Sequence, residues 1–289
     1  MKATLQLTAC ALLLAAPAAH ARIEVQGHRG ARALRPENTL PAFAYALGLG
    51  VDVLELDLNV TSDEQLLVTH DARVNPTICE GDGVDRLPLV RELTLAAAQV
   101  FDCGSLRNPR FPRQEPIPGT RMPTLNEVFE WISVSPDPQA SQVGFNIEMK
   151  SDSDHPELGS DPALFAGLVA EALRRHGMLE RVVVQSFDSE MLVELRKLEP
   201  GTKISFLSDN WRHDLARIAR ELRADIVSPS WTLLNRRKVH ELHAQGTRVV
   251  PWTANTERSW DLLIDLEVDG IISDDPAGLI EHLRSHGLR

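Results

Sequence analysis

The chain has little cysteine, no surplus of positive charge and, beyond its first residues, no long apolar run. Each shortage narrows what the protein can be. Three cysteines among 289 residues, with no second Cys or His set at metal-ligand spacing, argue against a thiolate metal centre. A formal net charge of −11 argues against non-specific nucleic-acid binding through a basic surface, so any anionic ligand must be held by local positive charge. Nothing after the N-terminal stretch is long and apolar enough to span a bilayer.

That N-terminal stretch reads as an address rather than as structure. Lys2 gives a positive start, Leu5 to Ala16 are mostly apolar, and Ala19-His20-Ala21 has the small-x-small form of a cleavage site. Residues 1–21 are therefore expected to be a signal peptide, leaving residues 22–289 as a periplasmic or secreted protein. Lipid attachment at Cys10 is disfavoured, because Leu7-Thr8-Ala9-Cys10 would interrupt the apolar region before it is complete. Export leaves Cys79 and Cys103, which in an oxidising compartment are better read as a disulfide than as ligands or a nucleophile. Closing such a loop stabilises by roughly 3 kcal/mol in the chain-entropy model.

Short runs rich in Val, Ile and Leu recur with helical stretches between them. Strands are expected near Ile23–Gln26, Val53–Leu58, Phe145–Met149, Val182–Gln185, Ile204–Leu207, Ile226–Val227, Val249–Trp252 and Gly270–Ile272. The last five begin about every 20 to 24 residues, close to the minimum for a βα unit with short loops. Eight such units predict an α/β fold of the TIM (β/α)8 barrel type. Helices are expected over Pro36–Leu49 and Pro162–His176, then after the capping residues Asp188 and Asp214, over Arg236–Ala244 and over Glu257–Leu266. Residues 72–122 break the rhythm. Rich in proline and holding both remaining cysteines, they read as a long insertion between the second strand region and the third barrel strand, able to cover an active site.

The chain is organised around Gly27-His28-Arg29-Gly30, where a strand gives way to a tight turn at the end that carries chemistry in such barrels. Histidine offers proton transfer near neutral pH, and arginine a planar fork of donors for phosphate or carboxylate oxygens. In Glu55-Leu56-Asp57 the acids lie two apart on a strand and share a face; Glu148-Met149-Lys150 repeats the spacing with an acid and a base. Three converging carboxylates without thiolates call for a hard cation, Ca2+ or Mg2+ before Zn2+. Thr69-His70-Asp71 adds a second imidazole after the apolar run Leu66-Leu67-Val68. One histidine can remove a proton from a nucleophile while the other protonates a leaving alkoxide.

Gly27-His-Arg-Gly30, Pro36-Glu-Asn-Thr39, Glu55-Leu-Asp57, His70-Asp71 and Glu148-Met-Lys150, in this order, resemble the glycerophosphodiester phosphodiesterase family over nearly the whole of residues 22–289. Gln185-Ser-Phe187, Trp252-Thr-Ala-Asn255 and Gly270-Ile-Ile-Ser-Asp274 extend the likeness. The resemblance implies a barrel that hydrolyses glycerophosphodiesters to sn-glycerol 3-phosphate and an alcohol with one divalent cation. It implies His28 and His70 as the catalytic pair, Glu55, Asp57 and Glu148 as metal ligands, and Arg29 and Lys150 as phosphate binders. Glu37 and Asn38 would brace the mouth, Trp252 would line the glycerol pocket, and Gln185 would hydrogen-bond substrate or a ligand. The export signal and the cysteine-bearing insertion are similar to the periplasmic branch, for which Ca2+ is favoured over Mg2+. Competing readings are a lysophospholipase D, a non-catalytic surface binding protein on the same barrel, and a glycosidase using Glu55 and Glu148, which leaves His28, Arg29 and Lys150 without a joint task. The sequence is silent on oligomeric state.

Overall fold

The computed structural model describes residues 22–151 and 155–289, so the expected signal peptide lies outside the described residues. The parallel barrel strands are β1 (Glu24–Gly27), β2 (Val53–Val60), β4 (Gly144–Met149), β5 (Val182–Ser186), β6 (Lys203–Ser208), β7 (Ile226–Pro229), β8 (Arg248–Val249) and β9 (Gly270–Ser273), and they pair in the order β8-β7-β6-β5-β4-β2-β1-β9. A further strand, β3 (Leu66–Val68), turns back antiparallel on β2. No strand ladder joins β8 to β9, but bonds from the Asp269 amide to the Val249 carbonyl (2.9 Å) and from Ile272 to Pro251 (3.0 Å) bridge that seam. The barrel is therefore nearly closed, as the repeat predicts.

Helices α1 (Leu40–Leu49), α3 (Leu125–Val134), α4 (Pro162–Arg175), α5 (Ser189–Leu198), α6 (Leu215–Leu222), α7 (Arg236–His243), α8 (Glu257–Asp265) and α9 (Pro276–Ser285) surround the strands; the short α2 (Leu95–Ala98) lies in the excursion. Their boundaries follow from local chemistry. Thr39, Thr124, Asp161, Asp188, Asp214, Asn235, Thr256 and Asp275 each accept an amide proton from the first turn they cap. The inward faces pack onto strands whose apolar residues are buried, apart from the half-buried Val53 and Val183, with Phe129 of α3 set edge-on to Phe145 of β4 at 5.5 Å.

Two expected boundaries move for physical reasons. The first helix begins at Leu40 rather than Pro36, because Asn38 takes a left-handed backbone (φ 56°) and turns its side chain toward β2. The strand expected over Val249–Trp252 ends at Val249, since Pro251 offers no amide proton to a ladder. Trp252 continues beyond it, donating its own amide to the Pro229 carbonyl (3.0 Å).

Between β3 and α3 the chain makes its long excursion. Val74, Val90, Ala98, Phe101 and Met122 form a small apolar core with Leu67 of β3, and the Cys79–Cys103 disulfide ties it together. With a sequence separation of 24 between the two cysteines, the cross-link limits the unfolded chain more than it adds contacts. The double variant C79S/C103S is expected to lose about 3 kcal/mol of stability relative to the oxidised protein. Urea unfolding with and without reductant measures this, and equal midpoints for the two forms would contradict it.

Candidate active site

The site lies at the C-terminal ends of the barrel strands, where the strand–turn–helix junctions set its parts. A Cβ on Gly27 would fall 2.1 Å from the Gly30 carbonyl oxygen, and Gly30, at φ 85°, sits against the backbone of Ala42. Only glycine fits both corners of this turn. Between them Arg29 is held at φ 51°, a strained conformation for a side-chain-bearing residue. Its amide donates to Glu55 Oε2 (2.8 Å), which fixes the strain to the neighbouring strand.

The sequence-expected acids converge. Glu55, Asp57 and Glu148 are buried and each offers a carboxylate oxygen within 4.8 Å of the others. Asp57 Oδ2 receives Asn38 Nδ2 (2.8 Å) and faces Arg29 Nε (3.1 Å). Asp57 Oδ1 has no hydrogen-bond partner although fully buried; Lys150 Nζ stands 3.9 Å away. Lys150 instead donates to Glu148 Oε1 at 2.7 Å. Burial, followed by the charge of Asp57, drives the Glu55 carboxyl well above its ordinary range; burial likewise raises Glu148 against the pull of Lys150. For Asp57 the opposing charges, Arg29 first, outweigh burial and keep it ionised. Two acids forced toward neutrality beside an orphaned carboxylate oxygen are what a divalent cation would relieve. The donor set, oxygen only, fits a hard ion.

Both histidines border the same cavity, of about 180 Å³, together with Arg29, Glu55, Glu148, Lys150, Phe187 and Trp252. His28 Nδ1 contacts Asp274 Oδ1 at 2.5 Å, and burial, followed by Arg32, lowers its pKa to about 4. His70 Nδ1 contacts Asp71 Oδ1 at 2.7 Å, and Asp71 in turn accepts from Asn75. Each ring thus has a carboxylate on one nitrogen. Glu37 accepts from Arg29 Nη1 (2.5 Å), so both Glu37 and Asn38 hold groups at the mouth.

Gln185 donates to Glu55 Oε1 (2.9 Å) and is buried in an inward row of amides. Asn146 Nδ2 donates to both Gln185 Oε1 (2.9 Å) and Gln26 Oε1 (2.8 Å), and Gln26 donates to Glu24 (2.6 Å). Trp252 lines the cavity wall edge-on to Phe187 at 5.6 Å, its indole nitrogen donating to the Ser228 carbonyl. Sequence reasoning gives no role to Phe187, Arg32, Asn255 or Asp274, although the motifs Gln185-Ser-Phe187, Trp252-Thr-Ala-Asn255 and Gly270-Ile-Ile-Ser-Asp274 contain three of them.

A barrel with cationic, imidazole and carboxylate groups gathered at one mouth has the equipment for acid–base chemistry on an anionic ligand. The profile of the Glycerophosphoryl diester phosphodiesterase family matches residues 28–278, and the chain belongs to that family. The glycerophosphodiester phosphodiesterase of Caldanaerobacter subterraneus subsp. tengcongensis is 31% identical over 91% of this chain and 98% of its own. A solved Silicibacter pomeroyi DSS-3 structure carrying the glycerophosphoryl diester phosphodiesterase name shares 28% identity, with TM-score 0.84 over 92% of this chain and 95% of that one. The barrel also matches an Oleispira antarctica phosphodiesterase solved with the product sn-glycerol-3-phosphate (23% identity, TM-score 0.76, 91% and 97% coverage). A Rattus norvegicus lysophospholipase D is more distant, at 24% identity over 89% of this chain and 85% of its own. The protein is thus an enzyme of the glycerophosphodiester phosphodiesterase class.

The amide row yields a direct test of how Glu55 is held. Gln185→Leu leaves Glu55 Oε1 and one Asn146 proton without partners in a buried layer, so a loss of about 1–3 kcal/mol is expected. Chemical denaturation measures it, and an unchanged midpoint would remove Gln185 from the support of Glu55.

Proposed function

We propose that the protein hydrolyses glycerophosphodiesters to sn-glycerol 3-phosphate and an alcohol, with His28 and His70 as the proton-transfer pair and one divalent cation held by Glu55, Asp57 and Glu148. The observation that carries this reading is the common cavity of the two imidazoles, Arg29, Lys150 and two of the acids, with the orphaned Asp57 oxygen beside it. A bound divalent cation there would neutralise charge on phosphorus-bound oxygens. Ca2+ is favoured over Mg2+, since three carboxylates from separate strand positions suit the larger ion's flexible coordination.

The chain's own groups do the rest. Arg29 and Lys150 hold the phosphodiester, Arg29 through its planar fork and Lys150 as a point charge. Glu37 and Asn38 keep the mouth of the site in shape around them. One imidazole takes the proton of the attacking hydroxyl as the new P–O bond forms; water gives sn-glycerol 3-phosphate directly, whereas the substrate's own glycerol hydroxyl gives a cyclic phosphate that water opens in a second step. The other gives a proton to the departing alkoxide as the old bond breaks, so no free alkoxide is released. Trp252 and Phe187 offer an apolar wall to the glycerol carbons. The export assignment, residues 1–21 as signal peptide and residues 22–289 as a single catalytic domain with the 72–122 insertion, belongs to the same reading. A disulfide is compatible with an oxidising compartment.

Three measurements test it. His28→Ala and His70→Ala are each expected to lower kcat by roughly 100- to 10,000-fold with the far-UV spectrum unchanged; near-normal turnover removes that histidine from the pair. Chelation followed by dialysis is expected to abolish turnover of glycerophosphocholine, with recovery on adding Ca2+; full activity in metal-free enzyme rejects the cation. Turnover of lysophosphatidylcholine well above that of glycerophosphocholine would instead favour the lysophospholipase D reading.

A further inference from the structure

We propose that Asp274 is the positioning residue of His28, and that Arg32, seated by the excursion between β3 and α3, clamps Asp274 in place. The proposal rests on the reading of His28 as a proton-transfer group. It arises from a hydrogen-bond arrangement the proposed chemistry does not itself use.

Asp274 directly follows β9 and is 2% exposed. Its Oδ1 contacts His28 Nδ1 (2.5 Å) and accepts from Arg32 Nε (2.6 Å). Its Oδ2 accepts from Asn255 Nδ2 (2.7 Å) and, more weakly, from Arg32 Nη2 (3.3 Å). Asn255 also takes the Asp274 backbone amide on its Oδ1 (2.8 Å), so one amide side chain holds both the carboxylate and the backbone behind it. Every Asp274 oxygen is engaged from two sides, which leaves the carboxylate a single orientation.

The consequence falls on His28. Burial opposes the charge on Asp274, but His28 and Arg32 outweigh it, so the carboxylate stays ionised and can only accept. The shared proton therefore belongs to His28 Nδ1, and the lone pair is left on Nε2. That nitrogen stands 3.9 Å from Glu55 Oε2, on the side of the three clustered carboxylates. Because Arg32 already balances the charge of Asp274, the carboxylate contributes tautomer choice and ring orientation more than added basicity.

Arg32 is itself held from outside the barrel. The Phe111 ring lies 4.9 Å from its guanidinium carbon, and Gln114 Nε2 donates to its backbone carbonyl (2.7 Å). Phe111 and Gln114 both lie in the excursion, which thereby reaches His28 through Arg32 and Asp274.

The test uses the full chain and two readouts. In 15N-histidine NMR at neutral pH, with the His28 signals assigned by their loss in His28→Ala, the wild type is expected to show the Nδ1–H tautomer. Asp274→Asn keeps the shape but presents an NH2 group to donors; it is expected to shift His28 toward Nε2–H and to lower kcat by about 100-fold or more, with KM within about threefold. Arg32→Gln, which loosens the clamp but keeps the carboxylate, is expected to fall between. An Nε2–H tautomer in the wild type overturns the proposal, and this measurement stands even if Asp274→Asn fails to fold. Normal kcat in Asp274→Asn beside an inactive His28→Ala overturns the positioning role alone; an active His28→Ala overturns the reading of His28 beneath it.

Discussion

Three carboxylates brought within 4.8 Å of one another in a barrel interior repel strongly, and the surrounding structure is arranged around that repulsion. Arg29 is driven into a left-handed conformation that brings its amide to Glu55 and its guanidinium to Asp57 and Glu37. Lys150 covers Glu148, Asn38 covers Asp57, and Gln185 covers Glu55. These contacts satisfy oxygens without cancelling the excess charge, since burial still raises Glu55 and Glu148. Acids buried where their ionisation is disfavoured cost stability, and a cation that let them ionise would recover it.

The same constraint explains the glycines at the first strand–turn junction. Gly27 and Gly30 let the backbone close so tightly that the residues between them are delivered to the barrel mouth. His28 and Arg29 then serve different neighbours from adjacent positions, one facing Asp274 and the other facing the acids of β2. The histidines sit in unlike settings. His28 is buried against an ion pair, whereas His70 lies on the antiparallel return after β3, with Asp71 and Asn75 beside it.

Much of this was legible in the sequence because it is local. Two residues apart on a strand share a face, so Glu55 with Asp57 and Glu148 with Lys150 could be paired before any contact was known. The repeat of short apolar runs carried the barrel. What escaped is non-local or set by backbone exceptions. Asp274 lies 246 positions from His28, and nothing near either residue announces the other. Gln185 reads equally as a substrate contact or a support, and only its distance to Glu55 places it against the acid. The early start expected for the first helix fails at Asn38, whose left-handed turn answers to Asp57 rather than to helix propensity.

The amide row beneath the site carries a rule of parity. It is bounded by Glu24 at one end and Glu55 at the other, and once a bound cation holds Glu55 ionised both ends accept but never donate. Between two acceptors the direction of donation must reverse once, and it reverses at Asn146, which gives a proton to each side and leaves its own Oδ1 unpartnered. With both ends ionised, position 146 is therefore the place in the row where aspartate, nearly identical in shape, would take away the two protons that Gln26 and Gln185 accept. Asymmetry between two look-alike side chains is enforced there by arithmetic rather than by space.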